Sequence, residues 1–507
     1  MPITIKDYRQ VGILTLIFIL INAIFLASTT FLPFIDLPNH LAEATIYKYY
    51  EPGNLLSQYY KPTPWYFPNS FHTVFCSLFP DVEWGNKIFH ILYIILLHGS
   101  MYLAIKQLNG NPWYGLLAIL FTYNYNVTFG FVGFAISIPV LILLFYTILA
   151  YLQKERMFLN VVIALLLVLL FFMHAQNALL GLIIYGLMIL YHYRRSFKTA
   201  LAHVLITPIP LLPMIFAWWF MRTQDNEGST LDYLKTYYTS GYFQNFGLRF
   251  RIIAYDNFQL QEGLPGVIIA CLFFVALLIP LLWLKPWRRL GRISLAPETI
   301  YAGIFFVITL GCYLFAPEKL PGQSPLFQRF CTIVILSFII LASILITNVE
   351  VRWLKYFVGI ITVVYTLLWF DYTISFNRQN SSFNKELFAG MEPSSTMAGL
   401  IYEYKYRGRQ VYIHFPNYYI IWKKGISASK IIDYRFGVVR RVAPESELPF
   451  YDESIGEKYS YQPQYAKVDY LLVRGTAVEN DRNLQGFSLW RQSGPWKIFQ
   501  NQAHLSR

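Results

Sequence analysis

Charge is what this chain has least of. Only 14% of its 507 residues are Asp, Glu, Lys or Arg, where a soluble domain carries about a quarter, while 56% are hydrophobic and the mean hydropathy is +0.41. Bilayer, not water, is therefore the main solvent expected. Cysteine is scarce as well: Cys271, Cys312 and Cys331 fall inside apolar runs and Cys76 in a polar connection, so no disulfide framework is expected. Ionisable groups are missing from the depth of the apolar runs, where carriers and pumps keep them. Only histidines occur there, and His90, His98, His192 and His203 read as hydrogen-bonded packing residues. No nucleotide-binding glycine loop and no inverted internal repeat is visible. The net charge of +13 is no nucleic-acid footprint, because Lys and Arg sit in short clusters between apolar runs, the pattern of anchoring to the inner leaflet.

A spanning helix needs about 20 mostly apolar residues, since only a helix satisfies its own backbone groups in hydrocarbon. About eleven segments qualify by this rule: 11–30, 87–105, 113–125, 129–151, 157–173, 177–192, 199–220, 265–284, 299–316, 326–347 and 355–372. The first exceeds a signal-peptide core of about 7 to 15 residues and reads as an uncleaved anchor. The shortest, 113–125, is a half-span or merges with its neighbour through Tyr123-Asn124-Tyr125-Asn126, and losing it would invert everything downstream. Charge favours keeping it. With it, every second connection is basic: Lys6 and Arg9; Lys106; Lys154 and Arg156; Arg194, Arg195 and Lys198; Lys285, Arg288, Arg289 and Arg292; Arg352 and Lys355. Connections 124–128 and 174–176 carry no Lys or Arg, and the long loops 31–86 and 221–264 mix signs. These loops, and everything after Ser375, are then extracytoplasmic.

Composition shifts at Asn377. Residues 1–376 read as a polytopic α-helical membrane domain and 377–507 as a soluble extracytoplasmic α/β domain of roughly 130 residues, enough for its own core. Strands are expected at 411–415, 470–474, 487–490 and 496–499, and a helix from Ser394 to Tyr406.

The first outer loop opens with Asp36-Leu37-Pro38-Asn39-His40-Leu41-Ala42-Glu43. Asp36 is placed to cap a helix, and at about 100° per residue Asp36, His40, Glu43 and Tyr47 share one stripe of it. Two carboxylates, an imidazole and a phenol on one face can handle protons, or can simply be a cap and a solvated face. His174 and Gln176 form a polar knot that reaches a substrate or only turns the chain. Arg329, with Glu318 and Lys319 upstream, grips a phosphate bidentately or snorkels to ordinary headgroups. Arg222, Arg249 and Arg251 admit the same two readings. Asp81-Val82-Glu83 is a metal-binding pair or an acidic helix start. Asn126-Val127-Thr128 fits a glycosylation acceptor, in a loop too short to serve as one.

An N-terminal anchor, an outer loop opening on an acidic motif, about ten further helices and an outer C-terminal domain resemble the GT-C superfamily of polytopic membrane glycosyltransferases. The stretch Asp36 to Ala42 is similar to the D-x-P-N-H-L-A stretch of an uncharacterised bacterial branch. Leu320-Pro321-Gly322 with Arg329 looks like its later loop, and His414-Phe415-Pro416-Asn417-Tyr418-Tyr419 like its tail. The resemblance implies a bacterial inner-membrane transferase. It would take a polyprenyl-phosphate sugar lipid as donor and an extracytoplasmic glycan, lipid or protein as acceptor, inverting the anomeric centre. Asp36 would be the base, supported by His40 and Glu43. Arg329, Lys319 and Arg222 would hold the donor phosphate, and Tyr47, His174, Gln176 and Glu318 would line the substrate cavity. The aspartate pair of the oligosaccharyltransferase branch is absent, so no metal ligand is assigned, and a divalent metal stays open. A transporter or flippase of a lipid-linked or small polar substrate is the alternative reading.

Overall fold

The computed structural model describes residues 4–222, 230–258, 263–284, 296–320, 324–346, 352–392, 394–429, 437–442, 454–456, 467–475 and 482–504. Lys285, Arg288, Arg289, Arg292, Pro321 and Gly322 lie outside them.

Nine helices among the described residues are long and apolar enough to cross a bilayer: Ile5–Ser28, Val82–Gln107, Val132–Lys154, Ala175–His192, Phe197–Phe220, Leu264–Trp283, Pro297–Phe315, Phe327–Leu345 and Trp353–Gln379. Met157–Met173 is a shorter apolar helix. Val132–Lys154 is almost wholly buried by its neighbours, whereas Ile5–Ser28 turns Leu16, Leu20 and Ile24 outward. Such broad exposed apolar faces are stable only against lipid, and the chain is an integral membrane protein.

The bundle has two polar ends, and they fix the topology. At one, Asp7 accepts from Lys355 Nζ at 2.8 Å and from Trp113 Nε1 at 3.1 Å, and Asn111 N donates to Ser343 O at 2.9 Å. At the other, the Asn377 side chain bonds the backbone of Phe31 both ways, at 2.7 and 2.9 Å, and Ile35 N donates to Thr128 O at 3.2 Å. Trp113 thus sits at the Asp7 end and Thr128 at the Asp36 end.

The short segment 113–125, expected as a half-span or as merging with its neighbour, does cross, but not as one helix. It is an α-turn Pro112–Gly115, a 3-10 helix Leu116–Phe121 and a short helix Tyr125–Phe129. The longer 3-10 rise of about 2 Å per residue, against about 1.5 Å in an α-helix, lets few residues reach far. Irregular backbone at membrane depth is tolerated only inside protein, and every residue from Leu116 to Asn124 is buried. The intramembrane histidines pack as expected: His90 Nδ1 meets Asn86 O at 2.9 Å, His98 meets Thr122 Oγ1 at 3.0 Å, and His192 meets the Tyr301 hydroxyl at 2.8 Å.

The strands lie in the first loop and beyond the last membrane-crossing helix. In chain order the strands are β1 (Tyr60–Pro62), β2 (Thr396–Ile401), β3 (Ile426–Ser427), β4 (Val439–Arg441), β5 (Tyr470–Arg474), β6 (Phe487–Ser493) and β7 (Trp496–Asn501). The five-stranded sheet runs β3-β2-β5-β7-β6, with β2 parallel to β3 and β5, and β7 antiparallel to β5 and β6. Two expectations fail here. Ser394 to Tyr406 is not a helix, because Thr396–Ile401 is a fully buried strand whose Gly399 lets Pro416 approach so closely that a Cβ would overlap it. Nor is 411–415 a strand. It is a turn running into a 3-10 helix Phe415–Asn417, pinned by Tyr412 on Phe376 and Phe415 on Trp496. Local pattern loses to tertiary packing in both.

The outer loop and the tail form one body. Strand β1 pairs antiparallel with β4, Tyr60 OH donates to Ser427 O at 3.1 Å, Trp422 Nε1 donates to Glu83 at 3.1 Å, and Phe31 packs edge-on against Tyr418. First loop and tail are therefore on the same side of the membrane, which requires an even number of crossings between them. Among the described residues, the nine apolar helices after the first, the short Met157–Met173 among them, supply that parity only with the irregular segment.

Candidate active site

The helix after the first span is Leu37–Tyr49, with Pro38 in its first turn and Asp36 at its N-cap position. Contrary to expectation the Asp36 side chain makes no capping hydrogen bond. Its backbone is held elsewhere: Asp36 N donates to Phe129 O at 2.9 Å, and Gly130 lies so close, at φ +100°, that a Cβ there would stand 2.7 Å from Asp36 N. The freed carboxylate lies 3.3 Å from Nε2 of His414, which is 3% exposed. Beside it Asn417 Nδ2 donates to Asn39 Oδ1, which Ser429 Oγ also approaches at 3.4 Å. The first-loop motif and the tail motif are thus in direct contact.

One helical turn on, His40 Nδ1 and Glu43 Oε2 are 3.1 Å apart. Burial alone would lower the His40 imidazole, yet the Glu43 carboxylate bonded to it, with the Asp36 charge behind, carries it above its ordinary value. Its neighbour His72, with ring centroids 5.8 Å apart, goes the other way. Burial, with the His40 charge next, pushes His72 well below the usual range, while its Nε2 faces Asn86 Oδ1 at 3.0 Å. Two imidazoles of opposite tendency thus meet edge to face. Tyr47 is half-buried further along the same helix, its hydroxyl raised by burial.

The connection 124–131 lies between Asp36 and Arg329. Asn124 caps its short helix by accepting from Asn126 N at 2.9 Å, and Asn126, wholly buried and so no glycan acceptor, donates to Arg329 O at 2.9 Å and to Thr332 Oγ1 at 3.2 Å. Phe131 carries the Arg329 guanidinium over its ring, 4.2 Å from the centroid. Arg329 Nη1 meets His174 Nε2 at 3.3 Å, and burial, then the Arg329 charge, hold His174 well below the usual histidine range, neutral. Arg329 and His174 are therefore brought together, with Gln176 two residues on, in the first turn of Ala175–His192.

Sequence reasoning missed a second cation here. Arg409 of the tail is near enough to Tyr125 for its charge to act on that hydroxyl, as the Arg329 charge also does, so both cations border the connection. The one local signal was a lone Arg beside Gly408, which carries no such message.

Other candidates are placed differently. Lys319 is exposed, and Glu318 is half-buried near Tyr233. Arg222 ends the helix Leu212–Arg222, and its side chain lies outside the described residues. Arg249 is no phosphate grip: it is 2% exposed, donates to Tyr313 O, Ala316 O and the Tyr237 hydroxyl, and stacks on Phe327, tying off a helix C-terminus. Arg251 pairs with Asp256 at 3.3 Å. Asp81 caps Val82–Gln107 through Glu83 N at 2.7 Å, so the acidic pair serves a helix start and the Trp422 anchor. Among the described residues no three His, Cys, Asp or Glu side chains gather as a metal site would need.

No protein-family model and no curated protein matches the chain. Solved structures do. ArnT from Cupriavidus metallidurans bound to undecaprenyl phosphate is similar over 97% of this chain and 98% of its own, at 12% identity and a TM-score of 0.53. The same protein in the apo state is similar over 96% and 97%, at 11% identity and a TM-score of 0.54. At such identity the likeness speaks for architecture, and it spans membrane bundle and tail alike: the chain has the fold of ArnT.

Proposed function

We propose that this protein is a membrane glycosyltransferase that moves a sugar from a polyprenyl-phosphate donor to an acceptor hydroxyl on the extracytoplasmic face of a bacterial inner membrane. In this reading residues 1–376 form the membrane domain, and 377–507 the outer domain that roofs the site. The observation that carries it is a carboxylate released from capping at the end of the bundle, across one short connection from a ring-supported arginine. The ArnT structure that shares the fold was solved with undecaprenyl phosphate, which supports a donor of that class.

A lipid-linked donor keeps its anomeric carbon at the membrane surface, so the reacting groups must lie at that depth. The acceptor oxygen forms its bond to the anomeric carbon as the carbon–oxygen bond to phosphate breaks. The proton passes to Asp36, and the electron pair leaves with the phosphate. Arg329 stabilises the charge that develops there, and its placement before reaction avoids reorganisation during it. One direct displacement inverts the centre. His40 and Glu43 carry the proton onward from Asp36, and Tyr47, His174, Gln176 and Glu318 contribute to the cavity, with Lys319 and Arg222 as further phosphate contacts.

The test uses purified protein in liposomes. Arg329→Ala should weaken undecaprenyl phosphate binding by about 10-fold or more, as loss of a charge-assisted contact does. Asp36→Asn should bind it normally but lose transfer from a panel of undecaprenyl-phosphate hexoses and pentoses, followed by mass spectrometry. Normal transfer by Asp36→Asn removes the base, and unchanged lipid binding by Arg329→Ala removes the grip.

A further inference from the structure

We infer that His414 is a positioning residue for Asp36, so that the C-terminal domain completes the active site instead of merely covering it. The inference rests on the reading of Asp36 as base.

An aspartate at an N-cap position ordinarily spends its carboxylate on the free N–H groups of the first turn. Asp36 occupies that position and does not. Its backbone is fixed from one side by the Phe129 carbonyl and by the close approach of Gly130. What remains is rotation of the side chain, and His414 faces Oδ1 at 3.3 Å. Two acceptors repel at that separation, so the Nε2 facing the carboxylate carries a hydrogen. The contact thus turns one carboxylate oxygen toward the tail and leaves the other for the acceptor hydroxyl.

His414 is itself fixed. It is the N-cap residue of the 3-10 helix Phe415–Asn417, with Asn417 N donating to its carbonyl at 3.1 Å, and Pro416 stiffens the turn. Phe415 packs on Trp496, and Asn417 joins Asn39, three residues past Asp36. The same short turn therefore grips the first-loop helix twice, once through an amide and once through the imidazole. A purely structural interface needs only the amide and the aromatic contacts. Burying a histidine beside a carboxylate that the local helix has left uncapped is the arrangement of a support for a reacting group. His40, one turn along the same helix with Glu43 bonded to it, serves the proton, not the rotamer.

The test reads Asp36 directly. Full-length protein in nanodiscs is treated with a water-soluble carbodiimide and glycine ethyl ester, and labelling of Asp36 is measured by peptide mass spectrometry against exposed Glu51. His414→Ala should raise relative labelling of Asp36 about threefold or more, a shift of the size a lost short polar contact gives. His414→Gln, which keeps an N–H near the same place, should stay within about 1.5-fold of wild type. Trp422→Phe, which loosens the same interface at Glu83, should leave Asp36 labelling unchanged. In the transfer assay His414→Ala should lower kcat about 10-fold or more with little change in KM, His414→Gln should recover most of it, and Asp36→Asn/His414→Ala should be no slower than Asp36→Asn alone.

Unchanged labelling in His414→Ala overturns the proposal. So does an equal rise in Trp422→Phe, which would mean general undocking, and so does additive loss in the double variant. Failure of the transferase reading looks different: Asp36→Asn would transfer normally, or no lipid sugar would transfer, while labelling would still report whether His414 holds the carboxylate.

Discussion

Gly130→Ala is the sharpest perturbation available, because it replaces no proposed catalytic residue yet presses directly on the one proposed as base. Gly130 sits at φ +100°, where a Cβ costs about 1–2 kcal/mol before any neighbour is considered. That Cβ would stand 2.7 Å from Asp36 N, 2.9 Å from Asp36 Cβ and 3.0 Å from Asp36 Cα. Restoring ordinary contact moves Asp36 by about 0.7 Å, and since a 1 Å misplacement costs on the order of 10²-fold in rate, about a 25-fold loss of transfer is expected. The Asp36–Phe129 backbone bond would lengthen with it. The assay is transfer from whichever undecaprenyl-phosphate sugar the wild type accepts, alongside undecaprenyl phosphate affinity and thermal unfolding. Rate should fall far more than affinity. Gly186→Ala, in the helix Ala175–His192 with nothing within 4 Å of its Cβ, is the control, with an unchanged or slightly higher melting temperature. Turnover of Gly130→Ala within twofold of wild type, or no lower than that of Gly186→Ala, would refute the claim that this approach sets the position of Asp36.

Arg249→Met should destabilise the protein by about 3 kcal/mol or more, since two buried helix-end carbonyls lose their donor, and should leave undecaprenyl phosphate affinity unchanged in a binding titration. Leu117→Ala, in the buried 3-10 stretch, should cost about 2–5 kcal/mol in thermal unfolding, whereas Leu16→Ala on the lipid face should stay within about 0.5 kcal/mol. His40 binds its proton more tightly in the folded protein, so the stability of the His40–Glu43 pair is complete below about pH 6.5 and is lost as pH rises through the higher folded value. Glu43→Gln should therefore lower the melting temperature most near pH 6, with the difference shrinking toward pH 9. A difference independent of pH would show that no charged imidazole is involved.

The membrane half was legible because hydropathy and the alternation of basic connections are long-range averages that survive local irregularity. Even 113–125, too short for a regular span, was kept on charge parity, and its 3-10 geometry shows how so few residues reach across. The tail was less legible. Thr396–Ile401 carries Met, Ala and Leu and reads as helix, but its burial between two parallel neighbours decides otherwise. At the site, the shared stripe of His40 and Glu43 follows from helix periodicity and appears as a 3.1 Å contact. The fate of Asp36 does not follow from it, because the group that takes its carboxylate lies in the tail, as far along the chain as Asn417 is from Asn39, 378 residues. Arg409 was invisible for the same reason.

The irregular crossing also constrains how the protein is made. Its 3-10 stretch leaves backbone groups that lipid cannot satisfy, and its shielding comes from far downstream: Tyr114 donates to Leu277 O at 3.2 Å, Asn126 donates to Arg329 O, and Tyr123 stacks on Trp369 with centroids 4.0 Å apart. A nascent chain halted before Trp369 would hold an unsheathed thread at that point. Completion of the membrane half thus waits on its last helix, and that helix leads directly into the domain bearing His414, so insertion of the bundle and closure of the site become late steps of one assembly.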